Sequence, residues 1–342
     1  MKSQIRVAVT AIGGPTGHGI LKCLHAQEDI YVIGLDADIN CFSQGLCNSF
    51  VKIPRLSEEN YLKEIEKVLR ENKIDILFPT LQDELEVYDE IAASLGVKVA
   101  KTIAEDYSIL LDKDLLYEYL LNMNCGKYIP KYTAFINTEE LTQLLESEYK
   151  LHEYKLLKPC SSHGGIGVMI ITNHINYLQA MKTRNNKGYI QENDAIELFE
   201  NINQKYMIME YLQGEEWSID VLKQKGSYIA VVPRKRSRVS NGIVIDGQVS
   251  QNVKLIEVCK EIVDALNVEG FLNLQFILGK DGEYKLIDLN PRFCGSQVMS
   301  YGAGVNFPYL FIQNTRNYRL QYPIIKWNTG MKRYWETYYY GY

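Results

Sequence analysis

The run LIDLNPRF near the C-terminal end of the chain places Asp288, Asn290 and Arg292 at every second position. In an extended strand their side chains project from one face. Upstream, across ILGKDGEYK, the run FLNLQF sets Asn273 and Gln275 at the same spacing, and the Asp281–Gly282 pair between the runs signals a two-residue type I′ hairpin. With that turn, Gln275 opposes Asp288 and Asn273 opposes Asn290, while Leu274 and Phe276 share the other face with Leu289 and Ile287. Asn and Asp are poor strand formers, and each covered polar group left unpaired costs about 1–3 kcal/mol. A ligand or ion accounts for such a plot of oxygens, a merely polar sheet face being the alternative. Carboxylate and amide oxygens suit Mg²⁺ shared with substrate phosphates, and the adjacent Arg292 suits phosphate itself.

Other stretches offer the groups such a phosphate would need. YKLLKPCSSHGGIGVMIIT reads as two strands joined by a loop containing Ser161, Ser162, Gly164, Gly165 and Gly167, whose N–H groups and hydroxyls can fold over phosphate oxygens, with Lys158 leading into it. A loose hairpin tip with a surface lysine is the competing reading. DKDLLYEYLLNMN reads as a helix with Lys113 in its first turn, where a cation opposes the helix dipole and so points to an anionic partner. In KYMIMEYLQGEEWSIDVL a strand ends at Glu210, the chain bends at Gln213 and Gly214, and a returning strand carries Glu216, Ser218 and Asp220. Backbone around Glu210, Tyr211 and Leu212 can bond an adenine edge, and Glu216 can take ribose hydroxyls. PRKRSR follows the strand SYIAVV, so Arg234, Arg236 and Arg238 can line one wall of a cleft and hold a carboxylate or acyl phosphate; a solvated edge or localisation signal reads equally well.

These groups need a scaffold. IRVAVTAI, GGPTGHG, GILKCLHA and YVIGLDAD form a βαβ unit with a glycine-rich first turn, and the alternation continues through YLKEIEKVLRENK, IDILFPT, LQDELEVYDEIAASLG and VKVA. This predicts a small parallel sheet with helices on both faces over residues 1–108. Gly13, Gly14, Gly17 and Gly19 miss the G-x-G-x-x-G spacing of a dinucleotide site. Asp83 and Glu84, just past a strand end, either touch a substrate amine or simply favour a helix N-terminus. From Asp112 the texture changes to a helix plus antiparallel hairpins, predicting a second domain over 109–320, with a lid of about 112–208. The aromatic tail 321–342 covers the cleft or packs on a second copy of the chain in a homodimer.

At 342 residues and 46% hydrophobic content the chain is long enough for two or three packed units. A net charge of −5 gives no push toward nucleic acid or an anionic membrane. No apolar run reaches the roughly 20 residues that span a bilayer, and the N-terminus runs straight into a strand pattern, so the expected compartment is cytoplasmic. Seven scattered cysteines read as reduced thiols, and five histidines without metal spacing make a zinc site improbable.

Taken together, the motifs resemble the ATP-grasp superfamily, in the branch similar to the large chain of carbamoyl phosphate synthetase. FLNLQF followed by LIDLNPRF looks like that family's N-x-Q-F and I-E-x-N-P-R metal motif. The resemblance implies a Rossmann-like N-terminal domain (α/β) followed by a two-part α+β ATP-grasp domain. It implies Gln275, Asp288 and Asn290 as ligands of one or two Mg²⁺ ions (Mn²⁺ able to substitute), and Arg292 at the moving phosphoryl group. Lys113 and Lys158 match the phosphate-binding basic residues, SSHGGIG the glycine loop, and EYLQGEE the adenine and ribose hinge. The implied activity is ATP-dependent joining of a small carboxylate to an amine, or to a thiol, through an acyl phosphate, with ADP and phosphate released. A non-catalytic ATP-binding regulator on the same fold is the alternative. Two departures stand out: Asp288 occupies a glutamate position, and the chain holds one such half where a carbamoyl phosphate synthetase holds two.

Overall fold

The computed structural model describes residues 4–162, 165–183, 188–200, 202, 204–240, 242–316, 322–334 and 336–340. Contacts group the chain into two units, one of residues 1–105, 217–275 and 289–342, the other of residues 106–216 and 276–288.

The first unit begins with the expected alternation. β1 (Ile5–Val9), β2 (Ile30–Asp36), β3 (Ser49–Lys52), β4 (Ile76–Phe78) and β5 (Lys98–Val99) form a parallel sheet in the order β3-β2-β1-β4-β5. Both faces are covered, as a fully apolar parallel strand requires. Val7 and Val9 pack with the helices Pro15–Leu24 and Phe307–Thr315. Ala8, Ile33 and Leu35 pack with the helices Tyr61–Glu71 and Asp89–Leu95. The glycine turn serves this packing: a Cβ on Gly17 would lie 2.6 Å from the Ala11 carbonyl oxygen, so only glycine lets the helix approach the strand.

Glu84 is not a substrate contact. It is 2% exposed, and its carboxylate accepts from Thr10 Oγ1 at 2.6 Å, Tyr61 Oη at 2.7 Å and the N–H groups of Thr80 and Leu81 at 3.2 Å. A buried carboxylate demands such donors, and they leave it tying β1 to the segment after β4. Asp83 is exposed.

The second unit contains β6 (Tyr132–Phe135), β7 (Tyr154–Pro159), β8 (Met169–Thr172), β9 (Tyr189–Gln191) and β10 (Tyr206–Glu210), in the order β6-β10-β7-β8-β9. One face of this sheet packs Phe135, Leu157, Tyr206 and Ile208 against Leu141, Leu145 and Phe199 of the helices Thr138–Glu146 and Glu192–Phe199. In β7 the residues that alternate with Leu157 are Leu156 and Lys158, so Lys158 stands on the opposite face from this core.

The third sheet takes β11 (Glu216–Gln224), β12 (Ser227–Ser240), β13 (Ile243–Val249), β14 (Gly270–Leu278), β15 (Tyr284–Asn290) and β16 (Gly330–Lys332), in the order β15-β14-β11-β12-β13-β16. Two expectations need correction. First, β11 does not return beside β10; the two strands lie in different sheets, which makes Tyr211–Glu215 a connection instead of a hairpin turn. Second, the β14–β15 turn is longer than two residues. Gly279 N–H donates to Glu283 O at 2.8 Å and Gly282 N–H to Gly279 O at 3.1 Å, with Gly282 at φ +79°. That is a three-residue loop with the glycine in the left-handed position, and it shifts the pairing next to the turn by one residue. Along β15, Tyr284 and Leu286 are buried, Ile287 and Asp288 half-buried, and Leu289 and Asn290 buried, so burial does not alternate simply. Among the described residues no helix is long and apolar enough to cross a membrane.

Candidate functional site

In the second unit the helix Lys113–Asn122 starts at an Asp112 cap whose carboxylate accepts from the N–H groups of Asp114 and Leu115. The other Asp112 oxygen accepts from Ser161 Oγ at 2.8 Å, and Lys113 N–H donates to Cys160 O at 2.9 Å. The start of the helix is thereby fastened to the end of β7 and the start of the glycine loop. Lys113 Nζ donates to Ser162 O at 2.6 Å and lies 3.4 Å from Asp288 Oδ1.

Lys158 completes the cluster. Its Nζ is buried, donates to Ile287 O at 2.8 Å, and lies 3.4 Å from Tyr117 Oη, which donates in turn to Leu286 O at 2.8 Å. Burial first, and then the neighbouring Lys113 charge, push the Lys158 ammonium down to about 7, while Asp288 pulls it back up. Burial and the Asp288 charge raise the Tyr117 hydroxyl, so it stays a donor. Two ammonium groups against one carboxylate leave excess positive charge in a low-dielectric setting, suited to an anion with more than one charge. Sequence reasoning missed Tyr117; its place one helical turn after Lys113 was the available signal.

The Tyr211–Glu215 connection lies in the same unit. Lys131 N–H donates to Glu210 Oε1 at 2.9 Å and Glu210 N–H to Lys131 O at 3.0 Å, so the Glu210 side chain secures the backbone. Gly214 passes so close to the hairpin that a Cβ would meet Leu278 O at 1.8 Å, and Leu278 N–H donates to Glu215 O at 3.1 Å. A groove of about 1260 Å³ runs along this connection, lined by Glu210–Glu215, Tyr154, Tyr132, Leu278 and Lys280. Glu216 is half-buried at the start of β11. In the loop, Ser161 is exposed, Ser162 half-buried and Gly165 at φ +76°; Gly164 lies outside the described residues.

In the first unit Gln275 is half-buried and Asn290 is 7% exposed. Asn273 turns inward: it is 1% exposed and its Nδ2 donates to Asp220 Oδ1 at 2.9 Å. Arg234, expected along a cleft wall, is fully enclosed, and its Nη2 pairs with Asp220 Oδ1 at 2.6 Å while Nη1 donates to Ser296 O at 2.9 Å. Arg236 is 9% exposed and donates to Ser218 Oγ and Gly242 O, both at 3.2 Å, whereas Arg238 is exposed. Irregular pairing between Arg236 and Val239 breaks the alternation that would have put the three arginines on one wall. Arg292 Nη1 donates to Phe293 O at 3.0 Å. Gln297 is 1% exposed, and among the described residues neither of its side-chain amide atoms has a hydrogen-bond partner.

Among the described residues no three His, Cys, Asp or Glu side chains cluster as a metal site. The donor set expected from the sequence is of another kind, with one carboxylate and two amide oxygens. These are hard oxygens of the type Mg²⁺ accepts when phosphates and water supply the rest. The Asp288 carboxylate is held beside the Lys113 ammonium at 3.4 Å.

Residues 9–100 match the family model "PylC-like, N-terminal domain", and residues 203–337 match "ATP-grasp in the biosynthetic pathway with Ter operon". N5-carboxyaminoimidazole synthetase from Staphylococcus aureus superposes with a TM-score of 0.68 at 14% identity, over 95% of this chain and 81% of that one. The fold is ATP-grasp. A second ATP-grasp structure, a biotin carboxylase–β,γ-ATP complex from Campylobacter jejuni, matches with a TM-score of 0.68 at 18% identity, over 93% of this chain and 72% of that one. In sequence, the carbamoyl phosphate synthase large chain of Methanothermobacter thermautotrophicus is 23% identical over 256 residues, 70% of this chain. The chain matches only 22% of that relative's length.

Proposed function

We propose that the chain is an ATP-dependent ligase that activates a small carboxylate as an acyl phosphate and transfers it to an amine. The observation that carries this reading is the Lys113–Asp288–Lys158 cluster, which joins two cations and one carboxylate at the end of β15. Backbone at Glu210–Leu212 receives the adenine and Glu216 the ribose. Lys113, Lys158 and the loop residues Ser161, Ser162, Gly164 and Gly165 hold the phosphates. Gln275, Asp288 and Asn290 hold Mg²⁺, with Mn²⁺ a substitute; when bound, the ion neutralises phosphate charge as the β–γ bond opens. A similarity to crystallised nucleotide complexes of the same fold supports the nucleotide assignment.

In the first step a carboxylate oxygen bonds to the γ-phosphorus and the bond to the β-phosphate oxygen breaks, releasing ADP. In the second, the amine nitrogen bonds to the acyl carbon, phosphate leaves, and the nitrogen loses a proton. Such a sequence needs positioning and charge stabilisation and no protein nucleophile. Arg292 steadies the transferred group, Arg236 is the further cation for the carboxylate or acyl phosphate, and Arg234, enclosed, acts by holding its neighbours. The proposed setting is cytoplasmic, with small-molecule substrates, and a homodimer is compatible with the exposed tail.

The test is ADP release from MgATP across a panel of acids and amines, with thiols as alternative acceptors. A pair that raises ADP release and yields a product of the combined mass supports the ligase. MgATP binding with no stimulated release by any pair favours a non-catalytic ATP-binding regulator.

A further inference from the structure

Four separate pieces of the first unit converge on one buried carboxylate that the ligase reading does not use. Asp220 lies on β11 and is fully enclosed. Its Oδ1 accepts from Arg234 Nη2 on β12 at 2.6 Å and from Asn273 Nδ2 on β14 at 2.9 Å, and Cys294 Sγ approaches it at 3.5 Å. Its Oδ2 accepts from Ser300 Oγ, in the helix Val298–Gly302, at 2.7 Å. The Arg234 guanidinium continues outward and donates from Nη1 to Ser296 O at 2.9 Å. Arg333, just beyond β16, donates to the preceding carbonyl, Gly295 O.

We infer that Asp220 is a positioning residue: through Arg234, with Arg333 as a second clamp, it fixes the loop Phe293–Gln297 and so sets the backbone that carries Arg292. The inference rests on the proposed ligase reading only for what the positioned Arg292 does. Its physical content is independent. Phe293 anchors the start of the loop in the core, stacked on Phe271, but the following Cys294, Gly295 and Ser296 have little side-chain bulk, so there the main-chain carbonyls are what can be held. Consecutive carbonyls of Gly295 and Ser296 are each held by a guanidinium from a different strand region. A guanidinium aims its donors only when its own charge is balanced, and in an enclosed site the balance requires a fixed carboxylate. Asp220 supplies it, and Asn273 and Ser300 fix the carboxylate in turn. Replacing the carboxylate by an amide of equal size removes the charge and leaves the shape. The positioning role therefore predicts a local loosening where a space-filling role predicts none.

Hydrogen–deuterium exchange of the full chain tests this, read on the peptide spanning 292–298, for Asp220→Asn and Arg333→Met. Inorganic phosphate titrated in the presence of MgADP serves as the anion probe. The expected result is at least tenfold faster exchange in 292–298 with the parallel sheet β1–β5 unchanged, and at least tenfold weaker phosphate binding with MgADP affinity within twofold of the parent. Parent-like exchange in 292–298 in a folded Asp220→Asn overturns the inference. If that variant does not fold, Arg234→Lys decides: it keeps a cation for Asp220 but loses the fork that also reaches Ser296 O, and unchanged exchange of the same peptide in the folded variant overturns the inference. Failure of the ligase reading shows differently, as absence of stimulated ADP release in the parent while the exchange difference persists.

Discussion

Gly214→Ala probes how the connection between β10 and β11 is held against the hairpin tip. The added methyl carbon would lie 1.8 Å from Leu278 O and 2.8 Å from Leu278 C, both backbone atoms that cannot rotate away. To reach even 3.0 Å the two segments must part by about 1.2 Å. The adjacent Leu278 N–H to Glu215 O bond, now 3.1 Å, does not survive that separation. Loss of the bond and of the packing around it costs roughly 1–3 kcal/mol. The cost falls on the segment Glu210–Leu212 proposed to bond the adenine edge, so MgATP affinity should drop about 5- to 150-fold. Isothermal titration of MgATP, with circular dichroism to confirm folding, reads this. A folded Gly214→Ala that binds MgATP like the parent refutes the assignment of this connection to the nucleotide.

Asp288→Ala should lower substrate-stimulated ADP release by roughly a hundredfold or more, the scale of losing a preorganised electrostatic group, while far-ultraviolet circular dichroism is unchanged; parent-like turnover removes Asp288 from the metal set. Gln297→Leu removes a buried amide that has no partner among the described residues, so the free protein should gain roughly 1–3 kcal/mol in urea unfolding, and a loss of stability would show that the amide is satisfied. His18 is held down to about 4 by burial, and then by the Lys22 and Arg333 charges. The unfolded chain takes up this proton first, so His18 should cost stability as pH falls from 6.5 toward 4 and contribute nothing to the pH slope above 7. His18→Gln should flatten the urea-midpoint slope in that window; an unchanged slope would assign it to other groups.

Much of the fold was legible because periodicity reports it directly. The apolar runs at Ile5–Val9, Ile30–Asp36 and Ile76–Phe78, alternating with amphipathic helices, permit little besides a covered parallel sheet. The Asp112–Lys113 helix start and the β7–β8 hairpin were equally readable, since a cap and a glycine loop are local signals. The errors arose where tertiary context outweighs local pattern. Asp281–Gly282 suits both a two-residue and a three-residue loop, and the choice depends on how both strands pack. Arg234, Arg236 and Arg238 alternate in sequence, but irregular pairing with β13 and the carboxylate of Asp220 decide which of them is enclosed. Asp220 itself was invisible as a hub because its partners lie 14, 53, 74 and 80 residues away. Glu84 read as a surface acid because the tyrosine and threonine hydroxyls that satisfy it come from other elements.

MgATP affinity of Lys113→Met and Lys158→Met tests the central claim most directly, because both lysines stand in one cluster with Asp288 and both are proposed to hold the phosphates. Each should bind MgATP at least tenfold more weakly, the loss of one charge-assisted contact of roughly 1.5–3 kcal/mol, with Lys158→Met no less stable to urea once its buried ammonium is gone. MgATP binding equal to the parent in both folded variants would contradict a triphosphate site at Lys113, Lys158 and Asp288.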